Sequence, residues 1–469
     1  MGGLLDRRAR RALFLASIVP WLIASCDDDG PGPDAAVGAD GGARLDAQLE
    51  DARVPGADTG PGTCGDGVCA GGEDCLDCPG DCGLCPDLVR AASCARDDVA
   101  AAIEMASDGF IVLVPEGRCA WERGVRIEGK GIHLRGEREG AVVLVHDAGS
   151  ATLVAVTADD SHAVEISDLR FEEGTGGADA WDGMFLSVGG SGRPVLVHHD
   201  VFETRNAGRR SVRWNVNRGV LWSNEFLGNG ADANAIAFLG PTSSWTSPPT
   251  MGTDDASGES NVYVEDNVFR RFPFQTLDPD SNSRVVIRHN TFDECGLASH
   301  GADTSEHGTR HWELYDNTFL FTDDGDCDGS RTANLPYLFY IRGGTGVIAD
   351  NAIPDVRSCA WGDKPEIFMT IQNLRRDAGP YPCWTEYPAP RQVGQGHDGA
   401  MPVTDPVYLW GNTGGGNYDA PAVGDYDPDE CGNGLRAADF IQAGRDFFTG
   451  TPRPGYTKYA YPHPLRAGR

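Results

Sequence analysis

Apolar and polar positions alternate along most of this chain within an eight-residue unit that keeps returning. It reads Val262-Tyr263-Val264-Glu265-Asp266-Asn267-Val268-Phe269: two apolar residues one apart, Asn three positions after the second, and an apolar, usually aromatic, residue two further on. Val195/Val197/Asp200/Phe202, Gly219/Leu221/Asn224/Phe226, Val285/Ile287/Asn290/Phe292, Trp312/Leu314/Asn317/Phe319, Gly346/Ile348/Asn351/Ile353 and Val407/Leu409/Asn412 keep the same phase. Val164/Ile166/Leu169/Phe171 fits except that Leu stands where Asn should.

The period of two on either side of the Asn predicts two short strands, each with one buried face. The Asn between them is expected to turn the chain, because it tolerates the left-handed conformation and its amide can bond backbone or a copy of itself in the next layer. Anchors at 169, 200, 224, 267, 290, 317, 351 and 412 give gaps of 31, 24, 43, 23, 27, 34 and 61, so the shortest gaps set the coil and the excess is loop. Such self-similarity marks a solenoid, whose core exists only once repeats stack. Helical solenoids are excluded by the period of two. Leucine-rich repeats carry an Asn as well, but with a Leu-rich consensus and a helical return that are not evident here. The expected fold is therefore all-β, a right-handed parallel β-helix.

The segment from Ser93 to Gly136 supports this. Cys94 to Ile103 has helical spacing, Gly109 to Trp121 reads as a buried strand and a turn, and Ile132 to Gly136 opens the next coil. The repeat and this segment together resemble the pectate-lyase-like superfamily. The resemblance implies coils of three strands, an Asn ladder at the bend between the second and third, and an N-terminal helix plugging the open end, as a solenoid requires. It also makes Cys94 and Cys119 candidate disulfide partners.

Five segments are expected. Residues 1–25 place Arg7, Arg8, Arg10 and Arg11 before an apolar run from Ala12 to Ala24, the layout of a secretory signal and too short to span a bilayer comfortably. The run ends Leu22-Ile23-Ala24-Ser25-Cys26, which resembles a bacterial lipobox with Cys26 as the lipidated residue; ordinary cleavage with Cys26 incidental is the alternative. Residues 26–62, rich in Asp, Gly, Ala and Pro, read as a disordered tether. Residues 63–86 carry Cys64, Cys69, Cys75, Cys78, Cys82 and Cys85, a disulfide knot in an oxidising compartment or, alternatively, a zinc site; their spacing resembles small cysteine-rich repeats of exported bacterial proteins. Residues 87–414 are the β-helix and 415–469 a C-terminal tail lying along the solenoid and closing its end. His463 in that tail is assigned to packing. The protein is expected to be exported, lipid-anchored at the bacterial cell surface, and monomeric.

In the resembled superfamily the substrate groove lies on the first sheet. First strands are expected at 184–188, 211–215, 235–239, 274–277, 297–301, 337–342 and 367–372. Alternation leaves Arg213, Gln275, His300, Tyr340, Arg342 and Gln372 as polar members of one outward stripe. The stretch from Leu297 to His311 adds Asp303, Glu306, His307, Arg310 and His311, none needed by a structural repeat. His300 is the best titrating group, as general base or acid. Its bland reading is a bond to turn backbone.

A net charge of −31 disfavours nucleic acid and repels polyanions at long range. Yet Arg205, Arg209, Arg210, Arg213 and Arg218 crowd one coil, and Arg forks bind carboxylates bidentately, so a local basic cleft would suit an acidic polysaccharide. These Arg could equally pair with surface acids. Lys occurs only at 130, 364 and 458, so a Lys base is poorly supported. His300, Tyr340 and Arg342 are taken as candidate catalytic groups, and Arg213, Arg210, Gln275, Asp303 and Arg310 as substrate-binding ones. The first reading is a polysaccharide lyase on a uronic-acid-containing glycan. The alternatives are a non-catalytic glycan-binding protein or adhesin, and a polygalacturonase-like hydrolase. The last needs paired carboxylates in the groove, whereas Asp278, Asp280 and Asp303 are expected in turns.

Asp324-Gly325-Asp326-Cys327-Asp328-Gly329 matches the first half of a calcium loop, but Leu335 stands at the twelfth position, so Asp324, Asp326 and Asp328 could clip Ca2+ without forming an EF-hand. Cys327 is alternatively a candidate disulfide partner of Cys359, with Cys383 pairing Cys431 and Cys295 left over, buried.

Overall fold

The computed structural model describes residues 87–175, 184–205, 210–230, 234–302, 308–322, 337–353, 367–376, 378–414, 421–425 and 430–467. Cys26, the cysteine-rich segment, Asp303, His307, Lys364, the Asp324/Asp326/Asp328 loop and the Cys327–Cys359 pair lie outside the described residues.

The period-two segments form a right-handed parallel β-helix. Each coil contributes a first, a second and a third strand, and like strands stack in parallel. The second strands build a twelve-stranded sheet from Leu88–Arg90 to Phe447–Thr449, and the third strands a ten-stranded sheet from Gly117–Trp121 to Thr413–Gly414. The first strands make a six-stranded and a four-stranded sheet. The break falls between Leu277–Asp280 and Leu297–Ser299, where Pro279 has no N–H to donate. Bonds from Thr276 N to the Gly296 carbonyl, 2.8 Å, and from His300 N to the Pro279 carbonyl, 2.9 Å, still link the halves.

The ladder runs as the repeat predicts. Asn224 Nδ2 donates to Asn267 Oδ1 (2.9 Å), Asn267 to Asn290 (3.0 Å), Asn290 to Asn317 (3.0 Å), Asn317 to Asn351 (3.0 Å) and Asn351 to Asn412 (2.9 Å). Each Oδ1 also accepts the backbone N–H of the Asn one coil earlier, as Asn290 Oδ1 does from Asn267 N. The expectation that Asn itself turns the chain needs correcting. The left-handed residue is the one before it: Ser223, Asp266, His289, Asp316 and Asp350 have φ of 53 to 57°. Asn is thus freed to bond along the stack. Beside the ladder, Phe171, Phe202, Phe226, Phe269, Phe292 and Phe319 stack ring on ring inside the third sheet, centroids 4.8 to 5.0 Å apart.

The N-terminal end is plugged by the helix Arg96–Met105, which buries Val99, Ala102 and Ile103. Lys130 Nζ caps its last turn through the carbonyls of Ile103 (2.9 Å) and Ala106 (2.7 Å). Disulfides join Cys94 to Cys119 and Cys383 to Cys431. Cys295 is buried and free, its thiol pushed up to about 12 by burial.

The chain's last described stretch crosses the outer face of the second sheet. Arg466 stacks over Trp222, the His463 ring lies 4.3 Å from Tyr263, and Arg288 donates to the carbonyls of Tyr459 (2.9 Å) and Ala460 (2.7 Å). Tyr456 Oη donates to Glu313 (2.6 Å) and Arg453 lies over Tyr408. No helix among the described residues is long and apolar enough to cross a membrane.

Candidate functional site

Register across the first sheet decides which side chains share its outer face. Ser187, Arg213, Ala237 and Asp278 are successive partners, and beyond the break so are Ala298, Tyr340 and Phe368. Their alternates Val212, Ile236, Leu277, Leu297, Phe339, Ile341 and Met369 belong to the core. His300 stands two after Ala298 and Arg342 two after Tyr340, so both face outward with them. Arg213 lies two strands from Asp278, about 10 Å.

One expected strand is displaced. The segment predicted at 274–277 begins instead at Leu277 and runs to Asp280. Gln275 takes φ 57° in the preceding turn, where its carbonyl accepts from Asn234 Nδ2 (2.7 Å). Asp278 and Asp280 therefore stand two apart on one strand and one face, not in turns. Pro279 between them disguised the strand, since proline argues against one.

Asp278 is the centre of the site. Its Oδ1 lies 2.8 Å from His300 Nε2 and 3.8 Å from Arg342 Nη2, and its Oδ2 lies 3.9 Å from Arg210 Nη2. Asp278 is 2 % exposed and Arg342 5 %. Burial alone would raise the Asp278 pKa, but His300, Arg342 and Arg210 outweigh it and hold the carboxyl below its usual value. Burial and the Arg342 charge press the His300 pKa down, yet Asp278 and Asp280 prevail and raise it to about 9. His300 is thus an imidazolium at neutral pH. A Cβ on Gly301 would lie 2.4 Å from the Arg342 carbonyl, so glycine after His300 lets the Arg342 strand close up beside it.

Arg342 Nε donates to the Ser299 carbonyl (2.9 Å), while its buried Nη2 has no hydrogen-bond acceptor among the described residues. The guanidinium lies 4.9 Å over the Tyr340 ring. Tyr340 belongs to an aromatic group that the sequence reading missed: Tyr337, Phe368 and Phe274 have centroids 5.2, 5.9 and 5.7 Å from it. Phe368 could have been found by the same alternation that found Tyr340. Gln372 Oε1 accepts from Gly301 N (3.2 Å), joining the stripe from the next coil.

Other expected residues stand elsewhere. Arg213 remains on the outer face and bonds Asn215 Oδ1 (2.9 Å). Arg310 is fully buried at the second sheet, donating to the His397 carbonyl (3.2 Å) beside Trp245. His311 is buried against Asn261 (3.0 Å). Arg205 pairs with Glu172 and Glu203, the bland reading of that Arg cluster, and Arg218 donates to the Gly192 carbonyl. Of the described lysines, Lys130 caps the helix and Lys458 pairs with Asp316 and Asp350.

No family model matches the sequence, and no curated protein matches it. Among solved structures the chain is similar to an alginate lyase from Paenibacillus sp. (15 % identity, 57 % of this chain and 95 % of that one, TM-score 0.36). It is also similar to a PL6 family polysaccharide lyase from Pseudopedobacter saltans (14 %, 81 % and 89 %, 0.35) and to a family 28 exopolygalacturonase from Yersinia enterocolitica (10 %, 73 % and 78 %, 0.34).

Proposed function

We propose that the outer face of the first sheet binds an acidic, uronic-acid-containing glycan and that the protein is a polysaccharide lyase. One observation carries this reading: three cations, His300, Arg342 and Arg210, converge on the single buried carboxylate of Asp278. The surplus positive charge suits a uronate carboxylate, and the aromatic group around Tyr340 suits the apolar face of a sugar ring.

β-Elimination demands that the uronate carboxylate be neutralised before the C5 proton becomes acidic enough to leave. Arg342 and Arg210 supply that neutralisation. His300, charged at neutral pH, is a poor base and a good acid, so it protonates the departing glycosidic oxygen. Tyr340, ionised to the phenolate beneath the Arg342 guanidinium, takes the C5 proton and becomes the neutral phenol. The C4–O4 bond breaks, a C4–C5 double bond forms, and the oxygen leaves with the bonding pair and the His300 proton.

A second reading rests on Asp278 and Asp280. Two carboxylates i and i+2 on one strand are about 7 Å apart, the separation of an inverting hydrolase. Against it, Asp278 is engaged by His300, Arg342 and Arg210, which leaves it a poor base toward water. Incubation with alginate, polygalacturonate and glycosaminoglycans separates the readings. Ultraviolet-absorbing unsaturated uronate supports the lyase; new reducing ends without that absorbance mean the hydrolase; saturable binding with neither means a binding protein. Lipidation of Cys26 would hold this groove at the cell surface.

A further inference from the structure

A second cluster lies on a different sheet, away from the groove. His133, Glu165 and His198 project from the outer face of the second sheet. His133 and Glu165 are direct partners on adjacent strands, and His198 stands on the next strand, two residues further along. Their donor atoms all fall within 4.8 Å of one another. His198 Nε2 is 3.0 Å, and His133 Nδ1 3.6 Å, from Glu165 Oε1.

Hydrogen bonds around the cluster fix where the ring protons sit. Ser167 Oγ donates its one proton to Asp168 Oδ2 (2.8 Å), so at His133 Nε2, 2.8 Å away, it acts as acceptor. In the neutral ring the proton is then on Nε2, and the Nδ1 lone pair points at a carboxylate oxygen. Two lone pairs facing each other are repulsive unless a cation stands between them. His198 Nε2 faces Glu165 Oε1 at 3.0 Å, and a cation that displaces a proton from Nε2 leaves it a place on Nδ1, 2.8 Å from His199 Nδ1. The His198 ring is held flat on Trp222, centroids 4.1 Å apart. Imidazole ligands whose far nitrogens are tied to outer partners are the usual setting of a bound metal.

We propose that His133 Nδ1, Glu165 Oε1 and His198 Nε2 form a binding site for a divalent transition-metal ion of the Zn2+ class. Two imidazoles and one carboxylate are the donors that suit this class, rather than the all-oxygen shell of Ca2+. An ion about 2.1 Å from each donor needs them about 3.4 Å apart, so the His198–Glu165 pair at 3.0 Å opens slightly and the His133–Glu165 pair at 3.6 Å closes slightly. His133, with 20 % of its side chain exposed, leaves the remaining coordination position to solvent. The ion would clip three successive coils together.

The test uses tag-free mature protein stripped with a chelator and titrated with Zn2+ against a chromophoric competitor, with Co2+ as a visible-absorbing substitute. One equivalent should bind, raise the melting temperature and give a Co2+ spectrum of nitrogen and oxygen ligands. Glu165→Gln and His133→Gln should each weaken binding by more than about 100-fold, whereas His199→Gln, which removes only an outer partner, should weaken it by about 10- to 100-fold. Circular dichroism verifies that each variant folds, and His162→Gln, outside the cluster, should bind as wild type does. Absence of saturable binding by the wild type, or equal binding by wild type and both ligand variants, overturns the proposal.

Discussion

His300 Nε2 and Asp278 Oδ1 stand 2.8 Å apart on neighbouring coils, a charged pair inside the groove. The His300 pKa is raised from 6.5 to about 9, so the pair's stabilisation is complete below pH 6.5 on that side and is lost as pH climbs through 9. Asp278 is shifted the other way, below 3.8, so its contribution is present above 3.8 and is lost as pH falls through the lower folded value. Wild-type melting temperature should therefore fall between pH 6.5 and 9, and His300→Gln should lack that component. Superimposable pH profiles of the two proteins would falsify the pairing.

Asn290→Ala and Asn317→Ala should each destabilise the fold by about 1 to 3 kcal/mol, because each deletion leaves buried amide partners unsatisfied in the coils on both sides. Chemical denaturation measures this, and values near zero for both would remove the ladder as a source of stability.

In the groove, the proton donor and the outlying cation should separate kinetically. His300→Ala should lower kcat by about 100- to 10,000-fold on the acidic glycan that is turned over. Arg213→Ala should instead raise KM by about ten- to a hundred-fold with kcat nearly kept, the loss of one charge-assisted contact. If His300→Ala retains wild-type kcat, the proton belongs to another group.

With Cys26 read as the lipidated residue and the apolar segment before it as a cleaved signal, Cys26→Ser should move the protein from the membrane fraction to the soluble exported fraction. Fractionation with and without detergent checks this. A wild type that is already soluble would rule out the anchor.

The repeat and its ladder were legible because period-two alternation and a fixed Asn phase survive in the coils from Asn224 to Asn412 whatever the loops do. His300, Tyr340 and Arg342 could be placed on one face by the same alternation. Asp278 could not, because Pro279 makes Leu277–Asp280 look like a turn, and so the residue that gathers the cations was put on the wrong element. Arg310 failed for the opposite reason: it stands close to His300 in sequence, but the chain reaches the second sheet in between. His133, Glu165 and His198 each look like an ordinary outward polar position. Only stacking, across separations of 32 and 33 residues, brings them together.

A solenoid of independent layers melts by degrees from its ends, since each layer touches only its neighbours. The stretch from Arg453 to Arg466 abolishes that independence here. It touches Tyr408, Glu313, Arg288, Tyr263 and Trp222, side chains from five strands of the second sheet. A coil that opens beneath it gives up these contacts along with its own, so local opening becomes as costly as opening the span. The molecule between Gly219 and Trp410 should accordingly unfold as one cooperative block, with a single steep transition and uniform amide-exchange protection in place of graded fraying.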